Sequence, residues 1–521
     1  MWYIIVSIEI HFRMPATEEQ LLICQSQGQV VKIKAGAGTG KTTTLRGLAQ
    51  RNPQSKILYL AFNRAIKDEA TAKFTPNVKA MTAHGLAFSR IGKDYANVPD
   101  KLASGDIKPF HVQGAIGSTL KKMPQNLQNL YGGRVIEAVK SFLISPAEEL
   151  GPEHVTMPSA PAEKKHFVAS RLLSDAQKVW EEMQKLDSKV PMIHDGYLKM
   201  FQLQAPKLWY DMILLDEAQD TNPVTQALVE QQAARRIYVG DEHQAIYAFR
   251  GARNAMNAVE ADEEFFLTGS FRFGQQIADL ANLLLDAKGE EELRLRGLGR
   301  PSLVAPLADK TPHAFIARGN SALFARAIEA MENNESFAFV GPLFNYRFDL
   351  IEQAYNLSIG GKVKDPFLAS FKNFEELEEY AEAMEDRENM GRCKIVTRYS
   401  RRIPFLVSQI QSKAGMHGSG TAHQVTLTSA HRAKGLEFDN VIMADDFMDF
   451  FDDESGEWKD MTRADAYEAE EVNLQYVAAT RAKKQLQIGE KLENFVAHQQ
   501  VVIAAKNKKR QGAAPVVPVS C

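Results

Sequence analysis

Residues 30–45 read VVKIKAGAGTGKTTTL, an apolar run of strand length that enters a glycine-rich turn and leaves it as a helix-forming segment. Gly36, Gly38 and Gly40 let the backbone bend tightly enough for its N–H groups to converge on an anion, and the dipole of the following helix adds positive potential there. Ala37 and Thr39 fill the turn between those glycines. Lys41 is expected against the β- and γ-phosphates of a nucleoside triphosphate, Thr42 offers a hydroxyl to Mg²⁺, and Thr43 follows as the next helical residue. Ala35 stands where the strict motif has its first glycine, and a small residue suffices there. The stretch predicts an ATP or GTP site on an α/β scaffold.

The remainder of the chain is long enough for several cores. Its 521 residues, 45% of them hydrophobic, suggest about three to four domains. A formal net charge of -3 gives no global basic field, so any contact with nucleic acid must come from local strips of Lys and Arg. Cys24, Cys393 and Cys521 are far apart and lie in no CxxC or His-rich cluster, which points away from a zinc site or a disulfide framework and towards a reducing compartment. No run of 18 apolar residues occurs, and the opening Trp2 to Ile10 is too short and carries Glu9, so no membrane role is expected. Residues 1–13 read as a start-site extension or an added edge strand ahead of Met14.

Thr17 and Gln20 have the spacing of a capping box; alternatively the Gln20 amide, both donor and acceptor, reads an adenine edge just upstream of the loop. KILYLAF (56–62) is a second strand, with Phe62, Asn63 and Arg64 at its carboxyl end, the edge where ligands gather in a parallel sheet. Phe62 either stacks a base or belongs to the core. A third strand near 78–81 delivers Thr82 and His84 to the same edge. MILLDEAQD (212–220) is a buried strand ending in two acids, Asp216 to hold Mg²⁺ and Glu217 to orient and deprotonate the attacking water. IYVGDEHQAIYAFRGA (237–252) again runs strand into polar turn. It aims Gln244 at a γ-phosphate, while Tyr247, Phe249 and Arg250 form a platform on which single-stranded bases could stack.

The loop, DEAQD, GDEHQAIYAFRGA and the later TSAHRAKGLEF stand in the order and spacing of superfamily 1 helicases, and the chain resembles the UvrD/Rep family across nearly its whole length. LAFNRA, TAHGLAF, FIARGN and HRAKGLEFDNVIMADDF make it similar to the F-box branch of that family, with no F-box segment expected ahead of it. The resemblance implies two RecA-like P-loop domains with parallel sheets flanked by helices, each with an inserted, mostly helical subdomain. It places ATP in the cleft between them and single-stranded DNA across their tops. Phe271 would pack on adenine and Arg272 reach the γ-phosphate, although Thr43 replaces the arginine that often covers the other face of the base. Gly435 and Glu437 would lie near the nucleotide, Ser429 and His431 on the DNA backbone, Arg318 at a strand end, and Arg481, in a helical NLQYVAATRAKK (473–484), would be the arginine finger.

The domains expected on this basis are 14–88 with 207–263, a helical insertion at 89–206, 264–340 with 423–500, a short arm at 341–422, and a basic, disordered tail at 501–521. The function implied is an ATP- and Mg²⁺-dependent single-stranded-DNA translocase and helicase moving 3′ to 5′ in repair, recombination or replication. Its partners would be single strands, junctions with duplex and recombinase filaments, in the cytoplasm on a nucleoid or in a nucleus. Two rivals stand beside it: a motor that strips protein from single strands with little unwinding, and a nucleotide-gated switch with no DNA in its cycle.

Overall fold

The computed structural model describes residues 16–103, 105, 107–123, 125–156, 162–246, 255–383, 386–453 and 455–512. The chain divides into two compact units, the second beginning at Thr268 and also counting the four residues Gly36–Thr39. No helix among the described residues is long and apolar enough to cross a membrane.

The first unit is built on six parallel strands: β1 (Val30–Ala35), β2 (Ile57–Ala61), β3 (Val78–Thr82), β4 (Met212–Leu215), β5 (Arg235–Gly240) and β6 (Glu263–Leu267). They lie in the order β3-β2-β4-β5-β1-β6. Helices cover both faces of such a sheet, so its central strands have no polar side to show. That is why ILYLA and MILL are apolar at every position and fully buried. Leu58, Leu60 and Ile213 on one face share a core with the helices Pro109–Leu120, Gln125–Leu143, Ala162–Gln184 and His194–Leu203. Ile33, Tyr59 and Leu214 pack on the other with α1 (Glu18–Gln25) and α2 (Lys41–Arg51). The order sets β5 between β1 and β4, so the carboxyl ends of those three strands form one short stretch of sheet edge.

The second unit holds seven parallel strands: β7 (Leu303–Val304), β8 (His313–Ala317), β9 (Phe337–Phe339), β10 (Gly415–Met416), β11 (Val425–Ser429), β12 (Phe438–Met443) and β13 (Ala482–Gln487). Their order is β10-β9-β11-β8-β12-β13-β7. Around them lie α3 (Asn320–Glu332), α4 (Arg387–Tyr399), α5 (Ala466–Ala479) and α6 (Glu490–Gly512), with the further helices Phe348–Ser358, Phe374–Ala383 and Ile403–Lys413. Phe324, Phe339 and Leu427 belong to the same core as Ile351, Val396 and Ile410.

Four expectations need correction. Glu264, expected to open the second domain, sits in β6 and pairs with Lys32 of β1, because EEFFL has one more edge of the first sheet to fill. The segment 341–422 is no separate arm: it shares its core with the sheet and supplies β10, which pairs with β9. NLQYVAATRAKK is only half helical, since α5 stops at Ala479 and Ala482 begins β13 beside β12. The tail is not disordered from 501, because α6 continues through the basic run to Gly512.

Candidate nucleotide site and nucleic-acid edge

The turn after β1 is held in a conformation that only glycine adopts easily. Gly38 has φ +74° and Gly40 +83°, both left-handed. Thr39 Oγ1 donates to the Gly36 carbonyl at 2.9 Å and braces the turn. Gly40 then opens the eleven-residue α2 with no side-chain cap and no acid in the first turn, so the positive end of the helix remains available to an anion. Gln20 completes the capping box of α1, its Oε1 accepting from the Thr17 N–H at 3.1 Å. The Gln20 amide nitrogen donates to Thr44 Oγ1 at 3.2 Å, and Thr44 in turn donates to the Gly40 carbonyl. With only 2% of its surface exposed, Gln20 braces the two helices against each other.

Lys41 Nζ lies 2.9 Å from Glu217 Oε2. Burial works against the Lys41 charge, but the carboxylates of Glu217, Asp216 and Asp241 outweigh it and hold the ammonium above its ordinary range. Asp216, 3% exposed at the end of β4, has its carboxyl pushed up to about 6, by burial first and then by the charge of Glu217. Its Oδ1 accepts from the Glu217 N–H at 2.9 Å, and its Oδ2 accepts from the Tyr59 hydroxyl. Glu217 has φ +52°, a left-handed conformation that costs a non-glycine residue about 1 kcal/mol or more and turns its side chain to Lys41.

A polar chain runs on from there. Gln219 Nε2 donates to Glu217 Oε2 at 2.6 Å, while Gln219 Oε1 accepts from the Asp241 N–H at 3.1 Å. Gly240 has to be glycine for this contact, because a Cβ would come within 2.5 Å of Gln219 Oε1. Asp241 Oδ2 accepts from Gln244 Nε2 at 2.6 Å, so the amide expected to aim at a phosphate is fastened to the neighbouring acid. Tyr59, Gln219 and Asp241 were not picked out from the sequence. Tyr59 carried a signal: a phenol in a strand buried on both faces needs a partner for its hydroxyl.

Along the same edge, Phe62 is 41% exposed and the Arg64 side chain almost fully so. Phe62, His84 and Asp216 line one cavity of about 160 Å³. Two of the expected DNA contacts are occupied locally: Asn63 Oδ1 caps its helix by accepting from the Ile66 N–H, and Thr82 Oγ1 accepts from the Gly85 N–H, both at 2.9 Å. His84 Nε2 lies 2.9 Å from Asp195 Oδ1 of the helical insertion. Tyr247, Phe249 and Arg250 lie outside the described residues.

In the second unit, Arg272 and Glu437, expected at the γ-phosphate and the ribose, bond to each other: Arg272 Nε donates to Glu437 Oε1 at 2.7 Å and Nη1 to the Thr480 carbonyl at 2.9 Å. Burial would raise the Glu437 carboxyl, yet the adjacent Arg272 guanidinium, with Arg481 and Lys483, holds it below the usual range. Phe271 precedes Arg272 and is partly buried. Gly435, at φ +84°, makes the turn from α-helical Ala430–Ala433 into β12. Arg481 is 1% exposed and follows α5, its Nε donating to the Val477 carbonyl at 2.9 Å and Nη2 to Thr480 Oγ1 at 3.1 Å. It is no surface cation. Ser429 and His431 stand at the carboxyl end of β11, and Arg318, at the end of β8, grips Glu471 of α5 with both Nε and Nη2.

A model of the UvrD/REP helicase N-terminal domain matches residues 16–265, and one of the UvrD-like helicase C-terminal domain matches residues 360–491. The chain belongs to the UvrD/Rep helicase family. Its two parallel sheets are the RecA-like domains of that family, each carrying mostly helical inserted sequence. Similar proteins include F-box DNA helicase 1 of Gallus gallus, 32% identical in an alignment of 498 residues that covers 90% of this chain and 48% of that protein. F-box DNA helicase protein 1 of Schizosaccharomyces pombe is 31% identical over 520 residues, 92% of this chain and 58% of that protein. DNA helicase IV of Escherichia coli is 26% identical over 308 residues, 48% of this chain and 44% of its own length. The chain thus spans about half the length of these UvrD/Rep relatives.

Proposed function

We propose that this chain is an ATP-dependent DNA helicase that moves along single-stranded DNA, 3′ to 5′, in repair, recombination or replication. The observation that carries the reading is the Lys41–Glu217 pair, 2.9 Å apart, with Asp216 beside it and the left-handed turn at Gly38 and Gly40 ahead of it. Its relatives are named as DNA helicases. The donor set suits a magnesium nucleotide: converging N–H groups at a helix start, one partly buried ammonium, one hydroxyl and two adjacent carboxylates. Thr42 and Asp216 would hold the ion, which supplies charge neutralisation at the phosphates. Lys41 answers phosphate charge, and Glu217 takes the proton of the attacking water on its carboxylate. Arg272 and Arg481 are proposed as further cations for the triphosphate, with Phe271 on the base and Glu437 near the ribose. The exposed Phe62 stacks a base, and Arg64, His84, Ser429 and His431 meet the strand.

Hydrolysis measured with and without a single-stranded oligonucleotide tests this most directly. DNA stimulation together with separation of a duplex bearing a 3′ single-stranded tail is expected, whereas hydrolysis indifferent to DNA would favour the nucleotide-gated switch. The integration of residues 341–422 into the second core favours a second reading, a translocase that displaces recombinase filaments with little unwinding. Filament removal and strand separation compared on one substrate divide the two. A nuclear or nucleoid location follows from the same proposal.

A further inference from the structure

Helix α5 is buried all round from Glu471 to Ala479, and apolar contacts, which have no direction, hold it in the core without fixing its position along its own axis. Directional bonds do that, and Glu471 supplies a charged set of them. Its carboxylate, 1% exposed, would be costly to bury unpaired. Oε1 accepts from Arg318 Nη2 at 2.6 Å and from Arg318 Nε at 3.0 Å, while Oε2 lies 3.3 Å from the same Nε and 3.7 Å from Arg387 Nη1. Two donors of one planar guanidinium fix a carboxylate in angle as well as in distance. Burial works against the Arg318 charge, but Glu471 outweighs it and holds the guanidinium above its ordinary range. Arg318 is itself anchored, its N–H donating to Asp446 Oδ1 at 2.8 Å beyond the end of β12. Arg387 opens α4. One carboxylate therefore fastens α5 both to the end of β8 and to the segment 341–422.

The far end of that helix carries Arg481. Val477, whose carbonyl accepts from Arg481 Nε at 2.9 Å, lies about 9 Å further along α5 at the usual rise per residue. Thr480 Oγ1, which accepts from Arg481 Nη2, donates in turn to the Tyr476 carbonyl at 2.8 Å. The guanidinium thus hangs from the last turn of a rigid rod that is pinned at Glu471. We propose that Glu471 is a positioning residue for hydrolysis: held by Arg318 and Arg387, it sets α5 along its axis and so sets the place from which Arg481 meets the triphosphate. The inference rests on Arg481 acting as the finger in the function proposed above, and adds to it a residue wholly buried among protein groups. It also gives the segment 341–422 a part in turnover, through Arg387.

A double-mutant cycle on the full chain tests this, with Glu471→Gln and Arg481→Lys made singly and together and read by single-turnover ATP hydrolysis beside equilibrium binding of a fluorescent nucleotide. Glu471→Gln is expected to slow hydrolysis about 10- to 100-fold, the scale of a misplaced reacting group, with nucleotide affinity kept. In the Arg481→Lys background the same change should cost less than about 2-fold, because the fork whose placement Glu471 governs is gone. Glu471→Met paired with Arg318→Met replaces both charges by apolar side chains, an exchange that cores tolerate. It should keep a urea midpoint close to that of the wild type and show the same loss of rate, which packing alone would not produce. Wild-type hydrolysis in either variant overturns the inference, as does a loss of equal size with and without Arg481, which would mark a general effect on the core. A parallel fall in nucleotide affinity in both variants also overturns it, by reducing Glu471 to a packing residue. Arg481→Lys hydrolysing at the wild-type rate refutes the finger itself, a result that appears without any change at Glu471 and is separate from the others.

Discussion

The Tyr59 hydroxyl donates to Asp216, joining the middle of β2 to the acid that ends β4. Both side chains are almost wholly buried, so the bond fixes the carboxylate rotamer where water cannot substitute for the phenol. Tyr59→Phe keeps the ring and removes the donor. We expect the Mg²⁺ concentration for half-maximal hydrolysis to rise several-fold while stability falls by about 1 kcal/mol, the usual net worth of such a bond. A magnesium titration of the ATPase beside a urea melt gives both numbers, and an unmoved magnesium midpoint would reduce Tyr59 to packing.

Lys41→Ala removes the cation that Glu217 faces at 2.9 Å and leaves that carboxylate half-buried beside Asp216. Turnover should drop to background, with or without DNA. Glu217→Gln preserves the side-chain shape and should bind ATP normally yet hydrolyse it about 10²–10⁴-fold more slowly, the range of a lost general base. DNA-stimulated hydrolysis surviving in Lys41→Ala would refute the phosphate role.

Arg481 combines a proposed finger with bonds to Val477 and Thr480, so replacing it disturbs more than charge. Arg481→Lys retains the cation and loses the fork. Hydrolysis should fall by about 10³-fold or more, in line with arginine fingers elsewhere, with ATP affinity kept and the melting temperature a few degrees lower. Equilibrium binding of a fluorescent nucleotide separates these effects, and a selective loss of binding would remove the finger assignment.

Lys199 is fully buried, donating to the Ser145 carbonyl at 3.0 Å and Gln202 Oε1 at 2.9 Å, and burial holds its ammonium down to about 8. An unfolded lysine titrates near 10.4. Below about pH 8 both states carry the proton; above it the folded chain releases the proton first, so stability attributable to this group rises with pH until the unfolded chain follows. Urea melts of wild type and Lys199→Met should therefore differ by a constant amount from pH 6 to about 7.5 and diverge in favour of the wild type from about pH 8 to 10. Parallel pH profiles would contradict the buried titration.

The strands that carry the nucleotide residues were legible because parallel strands covered on both faces must be apolar throughout, and KILYLAF and MILL show that without ambiguity. Lys41, Asp216 and Glu217 could be found because backbone and chemistry there demand few residue types. Their partners could not. The bonds from Tyr59 to Asp216 and from Gln219 to Asp241 join residues whose nearness depends on strand order, and strand order leaves no local mark in the sequence. β13 was hidden for another reason: at an exposed position of the sheet Lys483 and Lys484 pair with Asp439, giving AKKQLQ the polarity of a helix surface. The junction near Glu264 misled because Lys32 and Lys34 of β1 offer that glutamate ion pairs, and an acidic opening to EEFFL resembles a linker more than a strand.

The place of β6 at the border of the first sheet has a practical consequence for dissecting the molecule. A fragment truncated at residue 262 would lay bare the flank of Val30–Ala35, the strand that leads into the phosphate turn, as an unpaired ladder inviting another chain to dock and aggregate. A fragment carried on to Leu267 keeps that flank sheathed, so five residues separate a sticky ATPase lobe from a well-behaved one.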